Sequence, residues 1–492
     1  MSSSRLVCCS AAAFLFAAAA RADGPPSFVN DVVPVFTRYG CNQGACHGKG
    51  AGQNGFRLTL RGYAPELDHQ SITREFDGRR VCPDVPEASL LLRKPSGLVP
   101  HEGGKIFDVG SRPYQVLLHW IRSGMPGPAK DEPVLKKLEI RPGDRTLKPG
   151  GDLQLTVLAE FSDGASRDVT WLTRFASNDP GTADVGAGGK VHVAANGETS
   201  IRAAFQTLTA VVVVTAPYDR AVDAARLAPR NNVIDDLVNA KLGALRIEPS
   251  DLCTDAEFLR RAYLDTIGVL PTPDEARAFL ADARPDKSAR LIDALLDRPE
   301  YVDYWTVQLD DLLQNRKERD HDVRGAKGVR SFHEWIREQV AANRPWDEIA
   351  RAVLTAKGPV SEDPAVGYYI VNVGEEREAA RSEVVGSVAQ AFLGVRIGCA
   401  RCHNHPLERY TQDDFYRFAG YFSRVHFDRK EPSKGATVLT VSGLDGKPAK
   451  ADAGVVQPRT GQFLKPQPLD RAPTTIGPEE DPREKLAAWI TD

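Results

Sequence analysis

The stretch Asp152–Phe161, DLQLTVLAEF, alternates between polar and apolar residues over most of its length. Alternation with a period of two is typical of a half-buried β-strand, whose successive side chains point to opposite faces. The residues on the predicted inner face are Leu153, Leu155, Val157, Ala159 and Phe161. A turn signal, SDGAS, follows, and VTWL, GGKVHV and TSIRAAF are further short strand candidates bounded by Gly or Asn. We therefore predict an all-β, immunoglobulin-like sandwich over residues 133–217.

Helical patterns flank this sandwich on both sides, so the chain is predicted to be multidomain. In residues 27–130, SFVNDVVPVFTRYG and SRPYQVLLHWIRSG each carry an apolar helical stripe, with Ser111 as a helix cap in the second. These two helices predict a small all-α domain. The loop-rich middle between the two helices has many Gly and Pro residues and little regular pattern. This suggests that something other than the side chains of these helices fills the core of the domain.

Residues 228–426 form a predicted, mainly α-helical C-terminal domain. Two of its helices begin with capping boxes, Thr254 with Glu257 and Thr272 with Glu275. Residues 427–480 are rich in Pro, Gly and Lys and predict a loop-rich linker. The final residues, 481–492, have the pattern of an amphipathic helix, which we interpret as the start of a truncated further domain.

The chain begins with the features of a secretory signal peptide. A short positive start, MSSSR, precedes the apolar run LVCCSAAAFLFAAAA and a small-x-small cleavage site, so residues 1–22 are predicted to be removed. No later apolar run is long enough for a membrane span. A formal charge of −3 without a run of Lys and Arg argues against nucleic-acid binding. We predict an exported protein, periplasmic or on the cell surface, that is not transmembrane.

The segment CARCH contains Cys399, Cys402 and His403 at the spacing of a c-type haem attachment site. Two thiols about one helical turn apart can form thioethers with one porphyrin, while the adjacent imidazole ligates the iron. A zinc site and a structural or redox Cys pair remain alternatives.

A related segment, CNQGACH, contains Cys41, Cys46 and His47 with a longer spacing between the two thiols. A covalent haem is again the main interpretation, with a disulfide or a zinc clip as alternatives. Cys82 and Cys253 stay unassigned.

Several long segments resemble one family of large secreted planctomycete proteins. FVNDVVPVFTRYGCNQGACHG and SLLLRKPSGLVPHEGGKIFDVGSRPYQVLLHWIRSGMPGP resemble its cytochrome-c-like domain. KLEIRPG through VVVVTAP is similar to a group 2 bacterial immunoglobulin-like domain. NNVIDDLVNAKL through CARCHNHPLERYTQDDFYRFAGYFSRV resembles the domain of unknown function that follows in those proteins. The resemblance implies haem binding and electron transfer.

The resemblance also implies a distal iron ligand just before the last helix of the cytochrome-like domain. His101 in LVPHEGG matches that position, and Met125 in SGMPGP, after the helix, is the rival. The second haem has no obvious distal ligand.

The predicted function is therefore an exported dihaem c-type cytochrome, with one or two covalent haem c groups, that transfers one electron to an unidentified redox partner protein. GxSxG, P-loop and HExxH motifs are absent from the sequence, so an electron carrier is favoured over an enzyme. The alternative is a cell-surface or polysaccharide-binding protein that contacts the cell wall. In that case the Cys/His clusters are structural, as disulfides or zinc sites.

Overall fold

The structure is a computed structural model that describes residues 24–228, 230–316, 325–373, 378–405, 408–427, 438–444, 449 and 452–492. The predicted signal peptide, residues 1–22, lies outside the described residues. The chain divides between Glu248 and Pro249 into two compact units, called unit 1 and unit 2. Both units contain helices and sheets, so the multidomain prediction is confirmed at this level.

Short helices separated by loops form the first part of unit 1. They are α1 (Val33–Arg38), α2 (Pro65–Thr73), α3 (Leu90–Arg93) and α4 (Arg112–Arg122). A π-helical turn, Phe28–Val32, directly precedes α1, and the Ser27 hydroxyl accepts a hydrogen bond from the Asn30 amide at its start. Pro34 lies in the first turn of α1, where a missing N–H is tolerated.

Antiparallel strands form the second part of unit 1. They are β1 (Leu135–Arg141), β2 (Arg145–Thr146), β3 (Asp152–Gln154), β4 (Thr156–Phe161), β5 (Ser166–Asp168), β6 (Arg174–Ser177), β7 (Ala183–Val185), β8 (Lys190–Val193), β9 (Gly197–Phe205) and β10 (Leu208–Ala216). The sheets have the orders β1-β4-β5, β2-β10-β9-β6 and β3-β8-β7, with β2 parallel to β10. Leu155, Val157, Ala159 and Phe161 are buried, which confirms the predicted alternation.

One apolar cluster spans both parts of unit 1 and includes Phe28, Trp120 and Val157. Polar contacts reinforce the junction, because buried Asn30 donates to the Pro133 carbonyl at 2.9 Å and accepts from Gln206 Nε2 at 2.8 Å. The helices of residues 27–130 therefore share their core with strands, and a separate all-α, cytochrome-like domain is not shown.

Helix α5 (Val233–Leu245) lies at the end of unit 1, and four helices open unit 2. The four are α6 (Asp255–Ile267), α7 (Pro273–Ala281), α8 (Lys287–Leu296) and α9 (Pro299–Leu312). The capping boxes predicted at Thr254 and Thr272 are confirmed, since each hydroxyl and the following Glu carboxylate bond each other's backbone amides. These helices enclose a small apolar cluster around Leu259, Tyr263 and Leu295.

The main core of unit 2 is built from the remaining elements. They are α10 (Gly325–Ala341), α11 (Trp346–Thr355), β11 (Gly358–Pro359), α12 (Val366–Val373), α13 (Val384–Leu393), α14 (Gln412–Ala419), β12 (Val425–Phe427), β13 (Val438–Val441), β14 (Val455–Val456), β15 (Phe463–Leu464) and α15 (Pro482–Thr491). The strands form a sheet of order β11-β13-β12 and the hairpin β14-β15. Among the described residues, none of the helices has both the length and the apolar character that crossing a bilayer requires.

The described part of the segment predicted to be a linker, residues 427–480, contributes to this core. It contains strands β13, β14 and β15, and Gln457 and Leu464 are buried. Helix α15, which the sequence assigns to a further domain, packs against α11 within unit 2. The prediction of a mainly helical C-terminal part therefore missed the small sheets, whose short strands give little periodic signal.

Candidate functional site

The loop Cys41–Gly48 is a compact turn closed by its own backbone. The amide of His47 donates to the Cys41 carbonyl at 3.0 Å, and the amides of Cys46 and Gly48 both donate to the Gln43 carbonyl at 2.9 Å. A Cβ added at Gly48 would lie 2.2 Å from the Asn42 carbonyl oxygen, so this close approach requires glycine. The loop thus places Cys41, Cys46 and His47 on one wall of a cavity.

His101 lies on the same cavity, and its ring is nearly parallel to that of His47. The ring centroids are 6.5 Å apart and the planes differ by 10°. His47 Nδ1 lies 3.0 Å from the Phe56 carbonyl oxygen, and His101 Nδ1 lies 2.9 Å from that of Gly104. Because a carbonyl only accepts, each Nδ1 carries the proton, which leaves each Nε2 as an acceptor or ligand.

The first cavity has a volume of about 570 Å3 and mixed chemical character. Aromatic and aliphatic side chains cover much of its wall, including Phe36, Phe56 and Leu117. Cationic side chains also line it, namely Arg79, Arg80 and Lys94. A cavity of this size and lining suits a flat apolar ligand that carries anionic groups.

Burial is the largest cause of the pKa shifts of Cys41 and His47. It raises the pKa of the Cys41 thiol to about 12, and the nearby Cys46 acts in the same direction. The pKa of His47 is lowered, first by burial and then by electrostatic interactions with His101, Arg80 and Lys94, against the effect of its bond to Phe56. The two groups are therefore a neutral thiol and a neutral imidazole near pH 7.

Met125, the rival distal ligand, is not part of this cavity lining. It follows α4 with a φ of 56°, and its carbonyl accepts a hydrogen bond from His69 Nε2 at 2.8 Å. The structure thus brings Cys41, Cys46, His47 and His101 to one cavity and leaves Met125 outside its lining. Two parallel imidazoles and two thiols on an apolar cavity fit the chemistry of the predicted haem c, which stays a prediction here.

The second cluster has a different environment. Cys399 lies in a 3-10 turn, Ile397–Arg401, that ends at Cys402, and both thiols are exposed. His403 Nδ1 lies 2.7 Å from the Asn404 carbonyl oxygen. None of these three residues lines the first cavity or the second cavity described below. The second haem therefore stays a prediction.

A second cavity, of about 490 Å3, lies close to this cluster in unit 2. Its lining includes charged and aromatic side chains, namely Glu378, Arg381, Arg401, Tyr416 and Phe463. Sequence reasoning missed them as a site, because they come from separate segments and form no motif. Phe463 lies in the segment 427–480, for which the sequence predicts a linker.

Comparisons with known proteins give three kinds of match. The family model described as PSCyt2, protein of unknown function (DUF1549), matches residues 233–427, less than half of the chain. An S-layer-related protein of Niallia circulans is 35% identical over 88 residues, which are 18% of this chain and 5% of the relative. The chain therefore spans about a twentieth of that relative's length.

Solved structures of the S-layer protein SbsC also align with a small part of the chain. Domains 4 and 5 align with 20% identity and a TM-score of 0.16, over 17% of this chain and 53% of that one. Domains 1–6 align with 20% identity and a TM-score of 0.17, over 18% and 14%. Similarity at these TM-scores supports no conclusion about this chain.

The predicted function, a dihaem c-type cytochrome that transfers electrons, is wrong. The curated relative is an S-layer-related protein. Among the residues that the structure describes, no three His, Cys, Asp or Glu side chains come together as a possible metal site. The similarity to that relative favours the alternative of a cell-surface protein.

Proposed function

We propose that this chain is an exported cell-surface protein that binds the polysaccharide of the cell wall. The observation that carries the proposal is the 35% identity over 88 residues to an S-layer-related protein. A chance similarity of this length is uncommon, so we propose the same location, the cell surface, for this chain. Because the similarity covers 5% of the relative, we do not propose that this chain assembles as the relative does.

Two features of the chain support this proposal. The N-terminal residues have the pattern of a secretory signal peptide, which an exported protein needs. The strands of residues 135–216 form small, mainly antiparallel sheets around an apolar core, as expected for an immunoglobulin-like spacer module.

In this proposal the Cys/His clusters have structural roles. The loop Cys41–Gly48 is held by backbone hydrogen bonds, and the exposed thiols of Cys399 and Cys402 lie in one short turn. Two thiols in an oxidising compartment can pair as a disulfide without any third ligand.

The proposal is tested by locating the chain in a host that exports it. We expect surface protease treatment of intact cells to degrade the protein, and purified protein to sediment with isolated cell walls. A variant without residues 1–22 should remain protected inside the cell. Retention of the complete chain in the cytoplasm, or no sedimentation with cell walls, would refute the proposal.

A further inference from the structure

The second cavity is formed by several elements of unit 2. The turn Ala379–Arg381 and the turn Ile397–Arg401 supply Arg381 and Arg401, and α14 supplies Phe415 and Tyr416. The hairpin β14-β15 closes the opposite wall with Val455, Val456 and Phe463. With about 490 Å3, the cavity has the size of a small-ligand site.

Both the side chain and the backbone of Arg401 are held in place, and its Nη1 pairs with Glu383 at 3.3 Å. Its Nη2 donates to the Arg381 carbonyl at 2.5 Å, and its own carbonyl accepts from the Tyr416 hydroxyl and from Gln412 Nε2, each at 3.1 Å. A guanidinium that is already positioned loses little freedom when it binds a planar anion.

Arg381 is the more accessible cation of this cavity. Its side chain is 74% exposed and pairs with Glu378, itself 59% exposed, at 3.1 Å. An ion pair between exposed groups is weak, so a carboxylate of a ligand can compete with Glu378 for this guanidinium. Within the part of the chain that the structure describes, the lining then presents two guanidinium groups and one carboxylate.

Aromatic rings give the cavity its apolar surface. The Tyr416 ring packs edge-on against Phe415, with centroids 5.4 Å apart. Phe463 is 44% exposed and packs over Gly454, where an added Cβ would lie 2.6 Å from the end of its ring. An exposed ring beside cationic groups can stack on the apolar face of a sugar while the cations bind its acid group.

We infer that this cavity binds an acidic saccharide, a pyranose unit that carries a carboxylate. An acidic peptide would satisfy the guanidinium groups but has no flat ring face for Phe463 and Tyr416. The inference rests on the proposed function, since it names the class of polysaccharide that the surface protein recognises.

Calorimetric titration of the complete chain with a trimer of galacturonic acid tests this inference. We expect the acidic trimer to bind more tightly than a neutral galactose trimer. Arg381→Gln should weaken binding of the acidic trimer about tenfold, because a charge-assisted hydrogen bond is lost. Phe463→Ala should weaken it about fivefold through loss of the stacked ring, and Phe463→Tyr should retain the affinity.

Arg277→Gln is the matched control, since Arg277 is an exposed cation on α7 that does not line the cavity. Equal effects of Arg277→Gln and Arg381→Gln would overturn the inference. So would absence of binding, equal affinity for the neutral trimer, or tighter binding of a triglutamate peptide. The binding results do not depend on where the protein is located. If the protein is found at the cell surface but does not bind the acidic trimer, only this inference is contradicted. If the chain is found in the cytoplasm but binds the acidic trimer, only the proposed function is contradicted.

Discussion

Asp68 is a carboxyl group buried among the short helices of unit 1. It is 2% exposed, and both of its oxygens accept hydrogen bonds from Thr59. Burial raises its pKa from the ordinary 3.8 to about 7, and the bonds from Thr59 oppose this shift only in part. The folded chain therefore keeps a proton on Asp68 at pH values where the unfolded chain has released it.

This difference makes the stability of unit 1 depend on pH. Because the folded pKa is raised, the free energy of unfolding should fall as pH rises from about 4 to about 7, by up to about 4 kcal/mol. Urea unfolding at several pH values measures this slope. Asp68→Asn should flatten it, whereas Asp84→Asn, at an exposed carboxyl group, should leave it unchanged. An equal slope in the Asp68 variant and the unmodified chain would contradict this prediction.

At the residue scale, sequence spacing located part of the first cavity. Cys41, Cys46 and His47 form a local pattern, and the resemblance selected His101, which lies on the same cavity. At Cys399 and Cys402 the same kind of spacing stays a prediction, because a local pattern does not report which side chains surround the thiols. The second cavity gave no sequence signal, since folding alone brings Arg381 and Phe463 together.

Arg483 joins helix α15 to the end of α11 and also forms a buried ion pair with Asp481 at the start of α15. Arg483 and Asp481 have side chains that are 0% and 1% exposed, and their Nη2 and Oδ2 atoms are 2.7 Å apart. Arg483 Nη1 also donates to the Ala356 carbonyl at 2.7 Å, just after α11. The guanidinium thus satisfies a buried carboxylate and a buried carbonyl at once.

Replacement of this guanidinium should destabilise the whole of unit 2. Arg483→Met leaves Asp481 buried without its charge partner, which lowers the free energy of unfolding by about 3–5 kcal/mol. Urea unfolding followed by circular dichroism measures the loss. Lys485→Met on the same helix, at an exposed cation paired with Glu480, should change stability by less than about 1 kcal/mol. Similar losses in the two variants would show that the buried pair has no special role.

At the element scale, regular patterns were predictable and short strands were not. The alternation around Val157 and the capping boxes at Thr254 and Thr272 are local features, and the structure confirms them. Strand β11 pairs with β13 from a distant part of the chain, and β12 pairs with β13, the next strand in sequence. Each is too short for its own periodicity to indicate a sheet, so only the tertiary fold determines it.

At the scale of the whole molecule, the common core of unit 1 implies that its helical and strand parts unfold together. Asn30 lies at this junction, 1% exposed, with hydrogen bonds to Pro133 and Gln206. Asn30→Ala removes both bonds from the partly buried Pro133 carbonyl and Gln206 amide, so we expect a loss of about 2 kcal/mol in the free energy of unfolding.

Hydrogen exchange read by mass spectrometry measures this loss separately in α4 and in β9. Because one apolar cluster includes Trp120 and Ile201, the slowest amides of both elements should lose protection by the same factor. Asn178→Ala, which removes a single bond to Ser200 at an exposed site, should leave both elements nearly unchanged. Loss of protection in α4 with full retention in β9 would mean that the two parts are separate folding units, because a cooperative core cannot open in one part alone.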